Sequence, residues 1–265
     1  MDEQSANEQW CYMQIEKIKK TYLLAYEHMK AAVSLDNNPK QDGEDTPKSK
    51  EYEIAWNKLD CCDMYISDLI RNYCIRDHSI EEFNIYVIRQ DIKRLIALFP
   101  YTLFWSREML IKKETCSICG AVVNVRKPCG HVKGKLYMGK MAMHKVEEAE
   151  FVGVSIVRNP FDAYCILKQK GQIFDFGILD FIVPMIKPYS AWSYKVIRKG
   201  LFFGKNGRNT PCPCGSGFKY KHCIKKFPEI HYIYDYEITI GDKYIVFEKS
   251  WRGCGISKGK GENEV

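Results

Sequence analysis

The sequence has no uninterrupted apolar run long enough to cross a membrane. Its longest apolar stretch, Phe176 to Ile186, is broken by Asp180 and Pro184, whereas a spanning helix needs about 20 consecutive apolar residues. The N-terminal residues are acidic and polar, so they lack the basic start and the apolar run of a signal peptide. We therefore expect an intracellular, cytoplasmic protein without a transmembrane segment.

The common motifs of nucleotide and protease chemistry are also missing. The sequence contains no phosphate-binding loop, no dinucleotide fingerprint and no metalloprotease helix. His28, His78 and His144 stand alone in the sequence, and no acid, base and nucleophile can be assembled from neighbouring residues. These absences argue against an enzyme and identify no small-molecule substrate.

Acidic residues are absent from one long segment, Phe181 to Lys226, which carries ten lysines and arginines. Because the whole chain has a formal net charge of +7, the other residues sum to −3. The cations alternate with aromatic residues, a pattern typical of surfaces that follow a phosphate backbone and stack on bases. The aromatic residues are Tyr189, Trp192, Tyr194, Phe202, Phe203, Phe218 and Tyr220.

This basic segment predicts binding to nucleic acid or to an acidic protein. The alternative is a solvated basic face whose aromatic side chains pack against a neighbouring metal loop. The residues expected to contact the partner are Lys195, Arg198, Lys199, Lys205, Arg208, Lys219 and Lys221.

The chain has twelve cysteines, and in a reducing compartment spaced cysteine clusters more often bind metal than form disulfides. The first cluster begins with Cys116-Ser-Ile-Cys119-Gly, which has the form of a zinc knuckle, and Cys129-Gly-His131 follows nine residues later. The pattern C-x2-C-x9-C-x-H supplies four ligands on two tight turns. We therefore predict a structural zinc site on Cys116, Cys119, Cys129 and His131, with packing thiols or a redox pair as the alternatives.

The second cluster lies between Gly207 and Cys223. Cys212 and Cys214 flank one proline, and Cys223 follows after eight intervening residues. Glycines at 215 and 217 allow so short a loop to turn back on itself. A run of this length cannot build a hydrophobic core, so its order must come from metal binding.

Residues 206 to 223 resemble the SEC-C motif, a small zinc module found at the C-terminus of the preprotein translocase motor ATPase and in many otherwise unrelated bacterial proteins. The residues that match are Gly207-Arg208-Asn209, Pro211, Gly215-Ser216-Gly217 and the three cysteines. The resemblance implies a zinc site on Cys212, Cys214 and Cys223, so that two zinc ions are expected in total. It also implies a binding role, because in the translocase motor the module contacts a chaperone, ribosomes and lipid.

The second cluster departs from the family pattern at one position. The family places Cys or His directly after the third cysteine, and this chain has Ile224 there. His222 is the first candidate for the missing ligand and His231 is the second. A site completed by water, or one that does not bind metal, is the third alternative.

The hydrophobic pattern predicts an α+β protein with an N-terminal helical bundle followed by small β-rich, zinc-stabilised modules. Three stripes at helical spacing precede Pro100, and a capping box, Ser79 to Glu82, begins the third. After Pro100 short β-prone runs replace the stripes, and residues 36 to 50 are expected to form a loop. The expected units are a helical domain (1–100), a β-rich zinc-knuckle domain (101–170), a basic aromatic connector (171–204), a SEC-C-like zinc module (205–227), a β-hairpin (228–252) and a flexible tail (253–265).

Two classes of function follow. The favoured one is a zinc-binding protein that acts as a binding or adaptor module for nucleic acid, the ribosome or an acidic protein. The other is a hydrolase or nuclease of an unrecognised family. Because Val154 to Pro160 resembles a strand ending found in phage head-maturation and related mobile-element proteins, this second class includes a phage or mobile-element gene product.

Overall fold

The computed structural model describes residues 2–37, 45–160, 163–168, 174–201, 208–212, 218–226 and 232–249. Within these ranges the chain has the expected α+β architecture, with long helices first and three small antiparallel sheets after them. No helix in these ranges is long and apolar enough to span a membrane. Residues 38–44 of the expected loop at 36–50 and the whole tail at 253–265 lie outside the described residues.

Two long antiparallel helices, α1 (Glu3–Val33) and α2 (Pro47–Asn72), form the base of the bundle. The carboxylate of Asp2 caps α1 by accepting the backbone N–H of Ser5 at 2.8 Å. The hydroxyl of Thr46 caps α2 in the same way, and Pro47 occupies the first helical turn, where its missing N–H costs nothing. Because of this cap, α2 begins inside the segment that the sequence predicted to be a loop.

The third helical stripe is divided into two elements. The predicted capping box of Ser79 and Glu82 is present, but it begins a 3-10 turn, Ile80–Phe83, instead of the long helix. Asn84 follows with a φ of +60°, a left-handed conformation that asparagine tolerates better than most residues. Helix α3 then runs only from Ile85 to Ile96, so the prediction of one continuous helix was wrong here.

A buried carboxylate joins this bundle to the C-terminal sheet. Asp91 on α3 is 1% exposed and accepts hydrogen bonds from the hydroxyls of Tyr22 and Tyr26 on α1, the latter at 2.6 Å. It also accepts the indole N–H of Trp192, and the guanidinium of Arg94 lies 4.0 Å away. Burial and the charge of Asp91 raise the pKa of both phenols, which therefore stay protonated and remain donors.

Trp192 opens the first strand of a three-stranded antiparallel sheet. Strands β5 (Trp192–Leu201), β6 (Tyr232–Ile240) and β7 (Lys243–Lys249) lie in that order, with β6 in the centre. Their inner side chains, including Ile238 and Phe247, belong to the same hydrophobic core as the helices and a short helix α4 (Gly177–Ile182). The segment 171–204, expected to be a connector, therefore contributes α4 and β5 to the core.

A long two-stranded ribbon projects from this core. Strand β1 (Phe104–Cys116) pairs antiparallel with β4 (His144–Val157) over almost its entire length. At the base, the ring of Phe104 stacks on Trp56, and the backbone N–H of Trp105 donates to the carbonyl of Cys165 at 2.7 Å. At the other end, the ribbon leads into the first cysteine cluster.

Candidate metal centres

The first turn of the knuckle is built by backbone hydrogen bonds around Cys116. The carbonyl of Cys116 accepts the N–H of Gly120, and the N–H of Cys116 donates to the carbonyl of Ala121, both at 2.8 Å. Gly120 has a φ of +70°, a region that favours glycine. The turn therefore folds Cys119 back towards Cys116.

Backbone amides around this turn favour a thiolate at one position. The N–H groups of Cys119 and Ile118 lower the pKa of the Cys116 thiol. The N–H of Ala121 acts in the same direction on Cys119, but reduced hydration and the nearby thiols of Cys116 and Cys129 outweigh it, so the pKa of Cys119 is raised. Thiolates are the metal-binding form of cysteine, so the turn prepares Cys116 to act as a ligand.

The second turn carries Cys129 and His131. Gly130 between them has a φ of +88°, and the Sγ of Cys129 lies 3.7 Å from the Nδ1 of His131. Tyr137 packs edge-on against the imidazole, with the ring centroids 4.7 Å apart, and its hydroxyl accepts the N–H of Val132 at 2.8 Å. Sequence reasoning missed Tyr137 as a positioning residue; its place just before a Met-Gly turn is the signal that could have indicated it.

The four side chains fit a tetrahedral zinc ion. One ligand atom from each of Cys116, Cys119, Cys129 and His131 lies within 4.8 Å of all the others. Zinc–sulfur bonds of about 2.3 Å and zinc–nitrogen bonds of about 2.0 Å place tetrahedral ligands roughly 3.5 to 3.8 Å apart. A small contraction of the two turns would therefore close the site, and the separation of Cys129 and His131 already has the required length.

The knuckle is docked on the ends of both long helices. A small hairpin of β2 (Leu136–Tyr137) and β3 (Lys140–Met141) turns at Gly139, whose N–H donates to the side-chain oxygen of Asn7 at 2.7 Å. A Cβ at Gly139 would lie 2.8 Å from the carbonyl oxygen of Ala6. On the other side, the side-chain amide of Asn72 donates to the carbonyl of Gly134 at 2.8 Å. The four candidate ligands are thus held against the start of α1 and the end of α2.

The second cluster is described only in part. Cys212 and Cys223 are both buried and pack with Tyr220, while Cys214 and His231 lie outside the described residues. The N–H of Cys212 donates to the carbonyl of Phe218 at 2.8 Å, so the chain before the loop pairs with the chain after it. Cys223 follows on helix α5 (Tyr220–Lys226). The side chains of Cys212 and Cys223 are therefore buried in the same small core.

The position where the SEC-C pattern has its fourth ligand is occupied by an apolar side chain that packs against the cysteines. Ile224 is partly buried against Cys212, Tyr220 and Cys223. His222, the preferred substitute, is exposed, and among the described residues it does not form a ligand group with the two buried thiols. Its assignment as a ligand therefore stays a prediction.

The absence of a ligand at Ile224 predicts that the second site binds zinc more weakly than the first. Mild chelation should remove one ion before the other, because three thiolates hold the ion less tightly than four ligands do. Replacing Ile224 with cysteine should slow the release of zinc from the second site, whereas Ile224→Val should not. The check is zinc release to a colorimetric chelator over time. Simultaneous loss of both ions would contradict the prediction.

The predicted partner-binding residues divide into two groups. Lys195 is exposed on β5, but the residue paired with it on β6 is Glu237. Arg198 and Lys199 also lie on β5, with side chains outside the described set, and Lys205 is not described. In the motif, by contrast, Arg208 and Lys219 are exposed and Lys221 is half-buried.

The aromatic residues of this segment correct the sequence interpretation. Trp192 is 3% exposed and donates to Asp91, and Tyr220 is 3% exposed beside the two cysteines. Neither ring is available to stack on a base. Phe218 and Tyr189 are exposed. The alternative, in which the aromatic side chains pack against the metal loop, describes Tyr220, whereas Trp192 packs into the core of the helical bundle.

Comparisons with known proteins agree with the second cluster. The SEC-C motif family matches residues 208–223. The "Protein translocase subunit SecA" of Treponema pallidum (strain Nichols) is 90% identical over 19 residues, which are 7% of this chain and 2% of that protein. The subunit of the same name from Bordetella petrii is 72% identical over 25 residues, 9% of this chain and 3% of that protein. The chain thus carries a SEC-C motif, a zinc-binding type, but covers only a few per cent of these relatives. No solved structure matches it.

Proposed function

We propose that this chain is a zinc-stabilised binding protein whose SEC-C motif presents a basic surface to nucleic acid. The observation that carries the proposal is the convergence of Cys116, Cys119, Cys129 and His131 within 4.8 Å of one another. A set of four protein ligands is typical of structural zinc, whereas catalytic zinc keeps one position open for water or substrate. The first metal would therefore order a scaffold and leave recognition to another surface.

The charge distribution favours the motif as that surface. Arg208, Lys219 and Lys225 are exposed there, and no acidic residue occurs anywhere between 181 and 226. Three zinc-bound thiolates would add three negative charges and the ion would return two positive ones, so the local field stays positive. On the sheet, Glu237 opposite Lys195 offsets its charge. An anionic polymer would thus be drawn to the motif before the sheet.

Nothing in the described residues favours the hydrolase alternative. The cleft between the bundle and the base of the ribbon has a volume of about 450 Å³ and contains Asp60 and Arg158 in its lining. No histidine or cysteine is among the residues that line it. With one carboxylate and no histidine or cysteine to activate a hydroxyl or to complete a metal site, this lining supports no hydrolytic mechanism.

Titrating labelled single-stranded RNA and DNA into the zinc-loaded protein at low salt tests the proposal. We expect affinity to fall with salt, with a log-log slope of about −0.7 per phosphate neutralised. Replacing Lys219 and Lys225 together with alanine should make that slope shallower by roughly 1.4. Lys195→Ala is the matched control, and it should change the slope little because Glu237 lies opposite.

A lack of binding at micromolar protein and low salt would overturn the nucleic-acid proposal. An acidic protein would then be the better partner, because its carboxylates would also be attracted by the cations. Equal losses from Lys195→Ala and from the Lys219 and Lys225 pair would show that the motif is not the contact surface.

A further inference from the structure

One face of the ribbon formed by β1 and β4 is apolar and exposed. Trp105 pairs with Ile156, Met109 with Phe151, and Ile111 with Ala149, so these residues share a face. The exposed fractions of its large side chains are 43% for Trp105, 49% for Met109, 43% for Ile111, 60% for Phe151, 48% for Val154 and 57% for Ile156. Single exposed apolar residues are ordinary, but six on one face, with Arg107 as the charged residue among them, are not.

The opposite face of the same ribbon carries one exposed large apolar side chain on β1, Leu110, among polar side chains that bond to one another. The hydroxyl of Ser155 donates to the carboxylate of Glu108 at 2.6 Å, and the ammonium of Lys112 lies 2.6 Å from the carboxylate of Glu150. The ribbon is therefore amphipathic. In a globular protein an amphipathic sheet buries its apolar face, and in the described part of the chain no element covers this one.

Both ends of the ribbon are fixed, so the apolar face is held in place. The base is anchored by Phe104 against Trp56, and the far end leads into the knuckle that docks through Gly139 on the start of α1. A partner would meet a surface that is already ordered, and pre-organisation lowers the entropy lost on binding.

We propose that this apolar face is the interface between two copies of the chain. The six half-exposed side chains offer on the order of 600 Å² per copy, or about 1,200 Å² for two, which is the lower limit for a specific interface. A two-fold axis passing between the Arg107–Val154 and Met109–Phe151 pairs would lay Trp105 of one copy over Ile111 and Ala149 of the other. That packing sets a large side chain against a small one.

In a two-fold dimer the exposed Glu148, near the knuckle end of β4, would lie near the exposed Arg158 that ends the other copy's ribbon, where opposite charges are favourable.

Sedimentation velocity of the full chain, zinc-loaded and at 1 to 100 µM, tests this interface at about the affinities that a small interface gives. We expect a monomer–dimer equilibrium. Replacing Met109 and Phe151 together with threonine should raise the dissociation constant at least about tenfold, since threonine keeps the strand propensity but removes most of the apolar area. Leu110→Thr is the matched control: Leu110 is 56% exposed on the polar face, opposite Glu150, and its loss should leave the equilibrium unchanged.

Three outcomes would overturn the proposal. The wild-type chain could remain monomeric at 100 µM, or the double variant could dimerise as well as the wild type. The monomer could instead bind vesicles of phosphatidylglycerol through the same two residues, which would make the face a lipid contact. Circular dichroism and zinc content confirm that each variant is folded, and Val154→Thr repeats the test with a milder change if the double variant is not.

Discussion

Replacing Cys119 with serine is expected to remove about one zinc ion per chain and to disorder the knuckle together with its contacts to the helices. The hydroxyl of serine is a poor zinc ligand, and the three remaining ligands sit on two turns that have no hydrophobic core of their own. In zinc-finger peptides the apparent binding energy of structural zinc is about 10–16 kcal/mol. Because Gly139 and Gly134 join the knuckle to α1 and α2, the loss should also destabilise the helical bundle.

Zinc content by elemental analysis and thermal unfolding by circular dichroism provide the measurement. Cys61→Ser is the matched control, because Cys61 lies half-buried on α2, away from both clusters. The control should retain its zinc and its melting temperature. A Cys119→Ser variant that kept both would show that the four converging side chains do not hold a structural metal.

Replacing Asp91 with alanine is expected to cost about 3–5 kcal/mol of unfolding free energy, the cost of breaking a buried charged network. The substitution leaves the hydroxyls of Tyr22 and Tyr26 and the indole N–H of Trp192 without their acceptor. Each buried donor left without a partner costs about 1–3 kcal/mol. The loss would also weaken the attachment of β5 to the helices, because Asp91 joins Trp192 to Tyr22 and Tyr26.

Urea unfolding of the wild-type chain and of the Asp91→Ala variant gives this difference in free energy directly. Asp63→Ala is the control: Asp63 forms a partly exposed ion pair with Arg89 at 3.1 Å, and its loss should cost less than about 1 kcal/mol. Similar costs for the two substitutions would mean that Asp91 does not tie the sheet to the bundle. A changed slope with urea in the Asp91 variant would indicate that the sheet unfolds separately.

The convergence of the four candidate ligands could be expected from the sequence because their geometry is local. Two turns of a few residues each fix the positions of Cys116, Cys119, Cys129 and His131, and glycine at 120 and 130 indicates the backbone conformation that each turn requires. The apolar faces of the helices could also be predicted, because their buried residues recur with the 3.6-residue period of a helix.

The assembly of these parts could not be predicted, because it depends on contacts between residues distant in the sequence. Trp192 seemed to belong to a basic binding segment, and only its bond to Asp91, about one hundred positions earlier, reveals a core residue. The docking of the knuckle depends on Asn7 and Gly139, which no short pattern connects. The apolar ribbon face was not evident either, because bulges at several positions shift the alternation of its strands.

The pairing of β5 with β6 shows where the SEC-C motif is inserted in the chain. Leu201, the last residue of β5, is paired with Tyr232, the first residue of β6, so the whole SEC-C motif is an excursion between two adjacent strand ends. Insertions are tolerated where the chain enters and leaves at neighbouring points. The motif therefore lies within the loop that joins β5 to β6, and a two-residue turn could join the same two strands without it.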